Sequence, residues 1–526
     1  MPTKLPQTLR RSALGALLLA GTMGAVQGCT DLTETPRDAL TPANAFKTDQ
    51  EILAGAAAVY AQLRTTQWGY YNLSEITSDE QLVPTRGSDW FDNGRWLEIY
   101  RQGWNANSGS ALEDMNGVWN DMFSGVAKAN LMISVLEASD SPTKEAGLAE
   151  LKTLRAWFYY VLMDMFGGVP LVTSTEVEPR PRVTRDSLFR FIESELNAAR
   201  AVLPDKPAQY GRVSKGVANA ILANMYINAP VFQGTVTAGG LQRAAGRYQN
   251  AIDAADRVIN AGVYSLASDY KSNFATNNET SPENIFVIAN TAAPPGLGMS
   301  MAQRTLHYNQ HGVQGGPWNG FAGLAETYRT YDAADTRRSV WLVGPQISFV
   351  TGQPTTDRQG APLVFTDTIA DITKANENEG VRLNKFPPLL TAPNGDSHPN
   401  DFPYFRLAEM YLIKAEALNE LGRTGEAISL LNNTIRARAF DPDKPLNPAM
   451  SQAQARKAIL DERLYEFIGE AKRRQDLIRM GGQPGVTETY WGARRFKGAV
   501  EPFRVLFPIP NTQIQSNPLL VQNPGY

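Results

Sequence analysis

A mainly α chain is the fold class this sequence predicts, one in which helix pairs form a scaffold around a loop-rich, partly irregular insertion. Three observations lead there. Apolar residues recur at three- and four-residue spacings from about residue 47, the period of a helix with one buried face. Helical hairpins of one kind occur on both sides of a gap of more than 140 residues. Between them, residues 265–400 are rich in proline, glycine, asparagine and threonine, which break helices and favour turns.

The chain starts with Lys4, Arg10 and Arg11, followed by the uncharged run "SALGALLLAGTMGAV". A basic start, a short apolar stretch and small residues make a secretory signal peptide, predicted here as residues 1–28. The run is too short to span a bilayer comfortably, which takes roughly 20 apolar residues. Val26-Gln27-Gly28-Cys29 resembles a bacterial lipobox, although Val26 stands where leucine is usual and Gln27 where a small residue is usual. Cys29 is the only cysteine of 526 residues, so its placement points to acylation, with cleavage just before it. Several acyl chains anchor stably where one would be marginal. Residues 29–46, opening "CTDLTETP", are polar and acidic as a tether should be.

One cysteine also excludes an internal disulfide, and three histidines (His307, His311, His398) give no basis for a histidine-rich metal site. No metal and no cofactor is expected. The chain carries 50 basic and 53 acidic residues. Without the leader, 47 basic residues face 53 acidic ones, a net −6, and no basic run is present to attract nucleic acid.

The amino-terminal helical region is read as residues 47–264. "DQEILAGAAAVYAQLRTT" places Ile52, Leu53, Ala56, Val59, Tyr60 and Leu63 at helical spacing. "LEDMNGVWNDMFSGVAKANLMISVLEA" and "AELKTLRAWFYYVLMDMFGGVPL" continue the period, the second stopping at Gly167-Gly168 with a proline two residues on. Thr184 is a plausible cap for "RDSLFRFIESELNAARAVLP". "VSKGVANAILANMYINAPVF" and "AAGRYQNAIDAADRVINAG" follow.

The carboxyl-terminal region, residues 401–526, repeats that grammar. In "FRLAEMYLIKAEALNELGRTGEAISLLNNTIRARAF", a first helix carries Ala408, Tyr411, Ala415 and Leu418. Gly422 ends it, and a second carries Ala427, Ile428, Leu431 and Ile435. Small residues facing a partner, a glycine turn and a returning helix form a tetratricopeptide-like pair. "QARKAILDERLYEFIGEAKRRQDLIRMG" reads as one long helix, followed by an extended tail. The insertion, residues 265–400, holds short strand-like runs such as "NIFVIAN" and "APLVFTDT".

Binding residues concentrate on loops carried by a rigid scaffold. "WGYYNLSEITSDEQLVPTRGSDWFDNGRWLEIYRQGW", residues 68–104, contains four of the nine tryptophans and reads largely as loop. Trp104 and Tyr100 are expected in the core. Trp90 and Trp96, flanked by Asp89, Asp92, Asn93 and Arg95, are expected at the surface, with Trp68 and Tyr71 as further candidates. Trp318 and Asn319 in "HYNQHGVQGGPWNGF" are expected to be exposed in the insertion, accompanied by Tyr308. Aromatic rings beside Asp, Asn and Arg suit sugars, whose C–H faces stack while their hydroxyls donate hydrogen bonds to Asp and Asn and accept them from Asn and Arg. Asp79 and Arg86 stand near this site as ligand contacts or as a structural ion pair. No G-x-S-x-G or G-x-x-x-x-G-K-[ST] motif occurs, and no enzyme is expected.

The tail "LFPIPNTQIQSNPLLVQNPGY" closely resembles the carboxyl end of the SusD/RagB family of Bacteroidota-type outer-membrane lipoproteins. "ERLYEFIGEAKRRQDLIRMG", "FRLAEMYLIKAEALNELG", "TYDAADTRR" and "SDEQLVPTRGSDWFDNGRW" also resemble family blocks, in the family's order. The resemblance implies four tetratricopeptide-like pairs and a location on the cell surface, held in the outer membrane by the lipid on Cys29. It implies a TonB-dependent β-barrel of the SusC type as partner, importing an oligosaccharide or other nutrient that the lipoprotein captures. Peptide or other polymer capture, and a structural lid on the transporter without a ligand of its own, remain the alternatives.

Overall fold

Thr184 opens its helix as expected: the hydroxyl accepts from Ser187 N at 3.0 Å. Ser214 does the same for the next helix and Ser451 forms a full capping box with Gln454, satisfying amides that a helix start otherwise leaves unpaired. These helices belong to a computed structural model that describes residue 46 and residues 48–526, apart from 108 and 208. The leader, Cys29 and the tether through residue 45 lie outside the described residues. The chain divides into a piece ending at Glu51 and a unit from Ile52 to Tyr526.

Among the described residues, the α-helices of seven residues or more are α1 (Asp49–Gln62), α2 (Gly69–Glu75), α3 (Arg95–Arg101), α4 (Leu112–Glu137), α5 (Lys144–Phe166), α6 (Arg185–Val202), α7 (Lys215–Ile227) and α8 (Tyr248–Ile259). After the insertion come α9 (Leu407–Glu420), α10 (Thr424–Leu431), α11 (Gln452–Phe467) and α12 (Arg473–Met480). From α4 to α10 each helix packs on the one before it, so α8 and α9 touch although 147 residues separate them. Among the described residues, no helix is long and apolar enough to cross a membrane.

The helical pairs follow from side-chain size. Ala408, Ala415 and Leu418 of α9 face Ala427, Ile428 and Leu431 of α10, all buried, and Gly422 makes the turn at φ +79°, a conformation glycine adopts without strain. Helix α5 is buried on all sides from Thr153 to Phe166, as expected of a central helix. Its Trp157 stacks on Tyr160 at 5.1 Å and meets Phe286 and Tyr404 at 5.3 and 4.6 Å. Those two rings lie on β2 (Asn284–Ile288) and β4 (Phe402–Arg406), a fully buried antiparallel ribbon through which the chain leaves and re-enters the stack.

The long carboxyl-terminal helix is a correction. It breaks after Phe467 and resumes at Arg473, with Gly469 and Ala471 at φ +74° and +60°. The break frees two amides, and both are used: Gly469 N donates to Glu80 Oε2 (3.2 Å) and Ala471 N to Glu75 Oε2 (3.1 Å). Burial and the adjacent Glu75 push the Glu80 carboxyl well above the ordinary carboxylate range. A raised acid binds more protons folded than unfolded, so its stabilisation is complete below the unfolded pKa and declines as pH rises towards the folded value. Glu80→Gln keeps the shape without the charge. It is expected to raise the melting temperature at pH 8 while changing little near pH 4; an equal shift at both would contradict a protonated Glu80.

Candidate functional site

A two-residue ribbon brings the two tryptophan-bearing segments together. Strand β1 (Gln81–Leu82) pairs antiparallel with β3 (Ala322–Gly323), in register Gln81↔Gly323 and Leu82↔Ala322. The Trp90 loop therefore lies against residues 318–321. Trp90 Nε1 donates to the Trp318 carbonyl at 2.7 Å, and Gly320 lets the Trp90 ring lie directly on the backbone.

The rings form a row. Neighbouring centroids are 6.4 Å apart from Trp68 to Trp96, 5.2 Å from Trp96 to Trp90 and 6.3 Å from Trp90 to Trp318. Phe321 supports Trp90 and Trp96 edge-on at 6.0 and 5.8 Å. Trp68 is 38% exposed, Trp90 and Trp318 are half-buried, and Phe91 next to them is 56% exposed. Beneath Trp68 the Arg304 guanidinium stacks at 4.2 Å, a cation–π contact that fixes the ring from below.

The loop carrying Trp90 is strained. Trp90, Asp92 and Asn93 all have positive φ (60°, 39° and 54°), as does Asn319 opposite (50°). Such geometry costs of order 1–3 kcal/mol per residue and persists where its surroundings impose it. Asn319 is held by two buried arginines. Arg86 Nε donates to the Asn319 carbonyl at 3.0 Å, and Arg382 donates to Asn319 Oδ1 at 3.1 and 2.9 Å. Burial pushes Arg86 down to about 10.

One end of the row is closed by charge. Tyr308 donates to Asp89 Oδ2 at 2.6 Å, and Arg358 lies 4.0 Å over the Tyr308 ring while binding Asp89 and Glu377. His307 Nε2 pairs with Glu377 at 3.0 Å. The two histidines of "HYNQH" thus part, because His311 meets His398 instead. Among the described residues no group of three or more His, Cys, Asp or Glu is placed to hold a metal ion.

Several candidates are relocated by the structure. Segment 68–104 is interrupted by α2 and α3, of seven residues each, with the Trp90 loop between them. Trp96 is buried (1% exposed): α3 turns it inward while Arg95 binds Asp114 at 2.7 Å, and its Nε1 donates to Asp92. Tyr71 is buried against Phe402 and Phe321. Asn319 and Arg86 are buried as loop supports rather than surface groups. Asp79 forms an ion pair with Arg473 at 2.7 Å, the structural alternative, and Arg86 is not its partner. Trp104 and Tyr100 are in the core as expected. Trp68, Trp90, Trp318 and Tyr308 remain at the surface, joined by Phe91, which sequence reasoning did not single out.

An apolar cavity of about 340 Å³ between α1, Tyr210 and β2 shares no residue with the row.

The model of the SusD family matches residues 259–526, and a second model, described as starch-binding associating with outer membrane, matches residues 46–227. SusD-like protein P25 of Formosa agariphila is 24% identical, over 94% of this chain and 96% of the relative. The starch-binding protein SusD of Bacteroides thetaiotaomicron is 23% identical, over 87% and 85%. Among solved structures, surface glycan-binding protein A from Bacteroides thetaiotaomicron in complex with laminarihexaose superposes with a TM-score of 0.71. It is 22% identical, with 91% of this chain and 100% of that one covered. A laminarin-binding SusD-like protein gives 0.68 at 24% identity, over 91% and 100%. With the family model covering the carboxyl-terminal half and the helical stack shared along the rest, the chain belongs to the SusD family.

Proposed function

We propose that the protein captures an extended, uncharged glycan on the row Trp68–Trp90–Trp318 and hands it to a TonB-dependent β-barrel of the SusC type, without catalysis. The observation that carries this reading is the row itself: three partly exposed indoles linked through the buried Trp96, with Phe91 beside them. Exposed aromatic surface of this kind costs solvation unless a ligand covers it. The charges beside it are spent on one another, Arg358 on Asp89 and Glu377, which favours a neutral ligand. The relatives named for starch and laminarin support a glucan as the first ligand to test. The Cys29 signal supports a lipid-anchored protein on the outer face of the outer membrane, its leader removed ahead of Cys29.

The test is calorimetric titration of the mature chain with starch and laminarin oligosaccharides. Trp68→Ala and Trp318→Ala are each expected to weaken binding by about tenfold to a hundredfold, as aromatic anchors do. Failure to bind any saccharide, with the barrel still co-purifying from membranes, would leave the lid reading in its place. A polypeptide left unlabelled by metabolic fatty-acid tracing would refute the anchor.

A further inference from the structure

Away from the aromatic row, the ends of α6, α7 and α8 enclose a cavity of about 370 Å³ whose wall carries Arg200, Lys215 and Arg257. The two arginines are held alike. Arg200 Nε donates to Asn197 Oδ1 at 2.9 Å and Arg257 Nε to Asn219 Oδ1 at 2.8 Å. Each Nε is thereby fixed by a neutral amide, and among the described residues neither guanidinium has a carboxylate partner or a hydrogen bond from its Nη groups. The one acid on the wall, Asp205, pairs with Lys215 at 3.2 Å. Asp253, on the same helix as Arg257, raises that guanidinium from a distance but forms no ion pair with it, so two cations share a small concave space with no carboxylate bound to either. Their repulsion is felt: burial first, then the charge of Arg200, lowers the pKa of Arg257.

Like charges held together are stabilised when an anion lies between them, and paired guanidinium forks match the oxygens of a tetrahedral oxyanion. We propose that this cavity binds a phosphate group between the Nη groups of Arg200 and Arg257, with Lys215 at its edge. None of these residues lies in the aromatic row, so the site is independent of the glycan reading. The phosphate can be free inorganic phosphate or the headgroup of a membrane lipid. Both present the same oxygens.

Two arms separate these sources. Mature chain carrying Cys29→Ser, so that no acyl chain holds it to a membrane, is titrated with inorganic phosphate at constant ionic strength against chloride. It is also tested for sedimentation with phosphatidylcholine vesicles with and without phosphatidic acid. Arg200→Gln/Arg257→Gln is expected to lose at least tenfold in affinity in the arm that binds. Binding in the first arm assigns free phosphate, and binding in the second alone assigns the headgroup. Undiminished binding by the double variant, or no binding by the parent chain in either arm, overturns the proposal. Should the double variant misfold, the single variants decide: each must weaken binding, and either one leaving it unchanged counts against the site. A far-ultraviolet circular dichroism spectrum and a melting temperature matching the parent chain report that the variants are folded.

Discussion

Arg406→Met is expected to destabilise the protein by about 3–5 kcal/mol, the cost of removing one member of a buried ion network. Arg406 is 1% exposed at the junction of β4 and α9. Its Nε and Nη2 donate to Glu470 at 2.9 and 2.7 Å, and its Nη1 to Glu466 at 3.0 Å and to Glu283. Glu283 leads into β2, whereas Glu466 and Glu470 lie at and just beyond the end of α11. One guanidinium thus ties both edges of the insertion to the carboxyl-terminal helices. Arg337, Arg438 and Lys385 bind the same three carboxylates, so the variant leaves buried negative charge only partly balanced. Burial alone would raise Glu466, yet Arg438, Arg406 and Arg337 pull it well below the ordinary range. Glu470 is lowered against the same penalty by Arg406 and Lys385.

The sign of the pH dependence follows. A depressed carboxylate stabilises the fold above its unfolded pKa and loses that contribution as pH falls towards the folded value. Arg406→Met depresses these carboxylates less and so has less to lose on acidification. The stability gap, read from urea melts, is expected to be widest near pH 7 and to narrow below about pH 4, the ordinary carboxylate range. Glu470→Gln in the Arg406→Met background should recover part of the loss, and a double-mutant cycle measures how much. A variant as stable as the parent at pH 7 would show that the network contributes nothing.

The helical stack was legible because its rules are local. Periodicity found the helices, Thr184 and Gly422 marked boundaries, and alanines marked the contact between α9 and α10. The break after Phe467 was not legible, because "FIGEAKRR" continues a helical period. Glu470 is drawn to Arg406 and Lys385, 64 and 85 residues away in the chain, and only Gly469 hints at it locally. The aromatic site was legible in composition and less so in orientation. Polar neighbours made Trp96 look exposed, although Trp96, Ile99 and Tyr100 share the three- and four-residue spacing of a buried helical face. Arg95 is the deciding residue: its reach to Asp114 turns α3 so that Trp96 points inward. Phe91 left no periodic signal, and its exposure follows from the strained turn around Asp92-Asn93-Gly94.

Gly320→Ala is expected to abolish glycan binding with no direct change to a ring. A methyl group on Gly320 would lie 2.3 Å from Cε2 and Cζ2 of Trp90, well inside van der Waals contact, so one of them must move. Trp90 has little freedom to do so gently. Its Nε1 is bonded to the Trp318 carbonyl, and its ring is packed edge-on against Trp96 and Phe321. The overpacking should cost about 1–3 kcal/mol, and the larger consequence is that the indole leaves the middle of the row. Binding should therefore fall at least as far as in Trp90→Ala. Trp90 itself offers a backbone control. At φ +60° an L-residue is strained by roughly 1–2 kcal/mol and glycine is not, so Trp90→Gly should match or exceed the stability of Trp90→Ala although glycine is the more flexible residue when unfolded. Both should lose the glycan alike. If the alanine variant is clearly the more stable, the left-handed turn is not what presents this ring; if Gly320→Ala binds normally, the ring is not part of the platform.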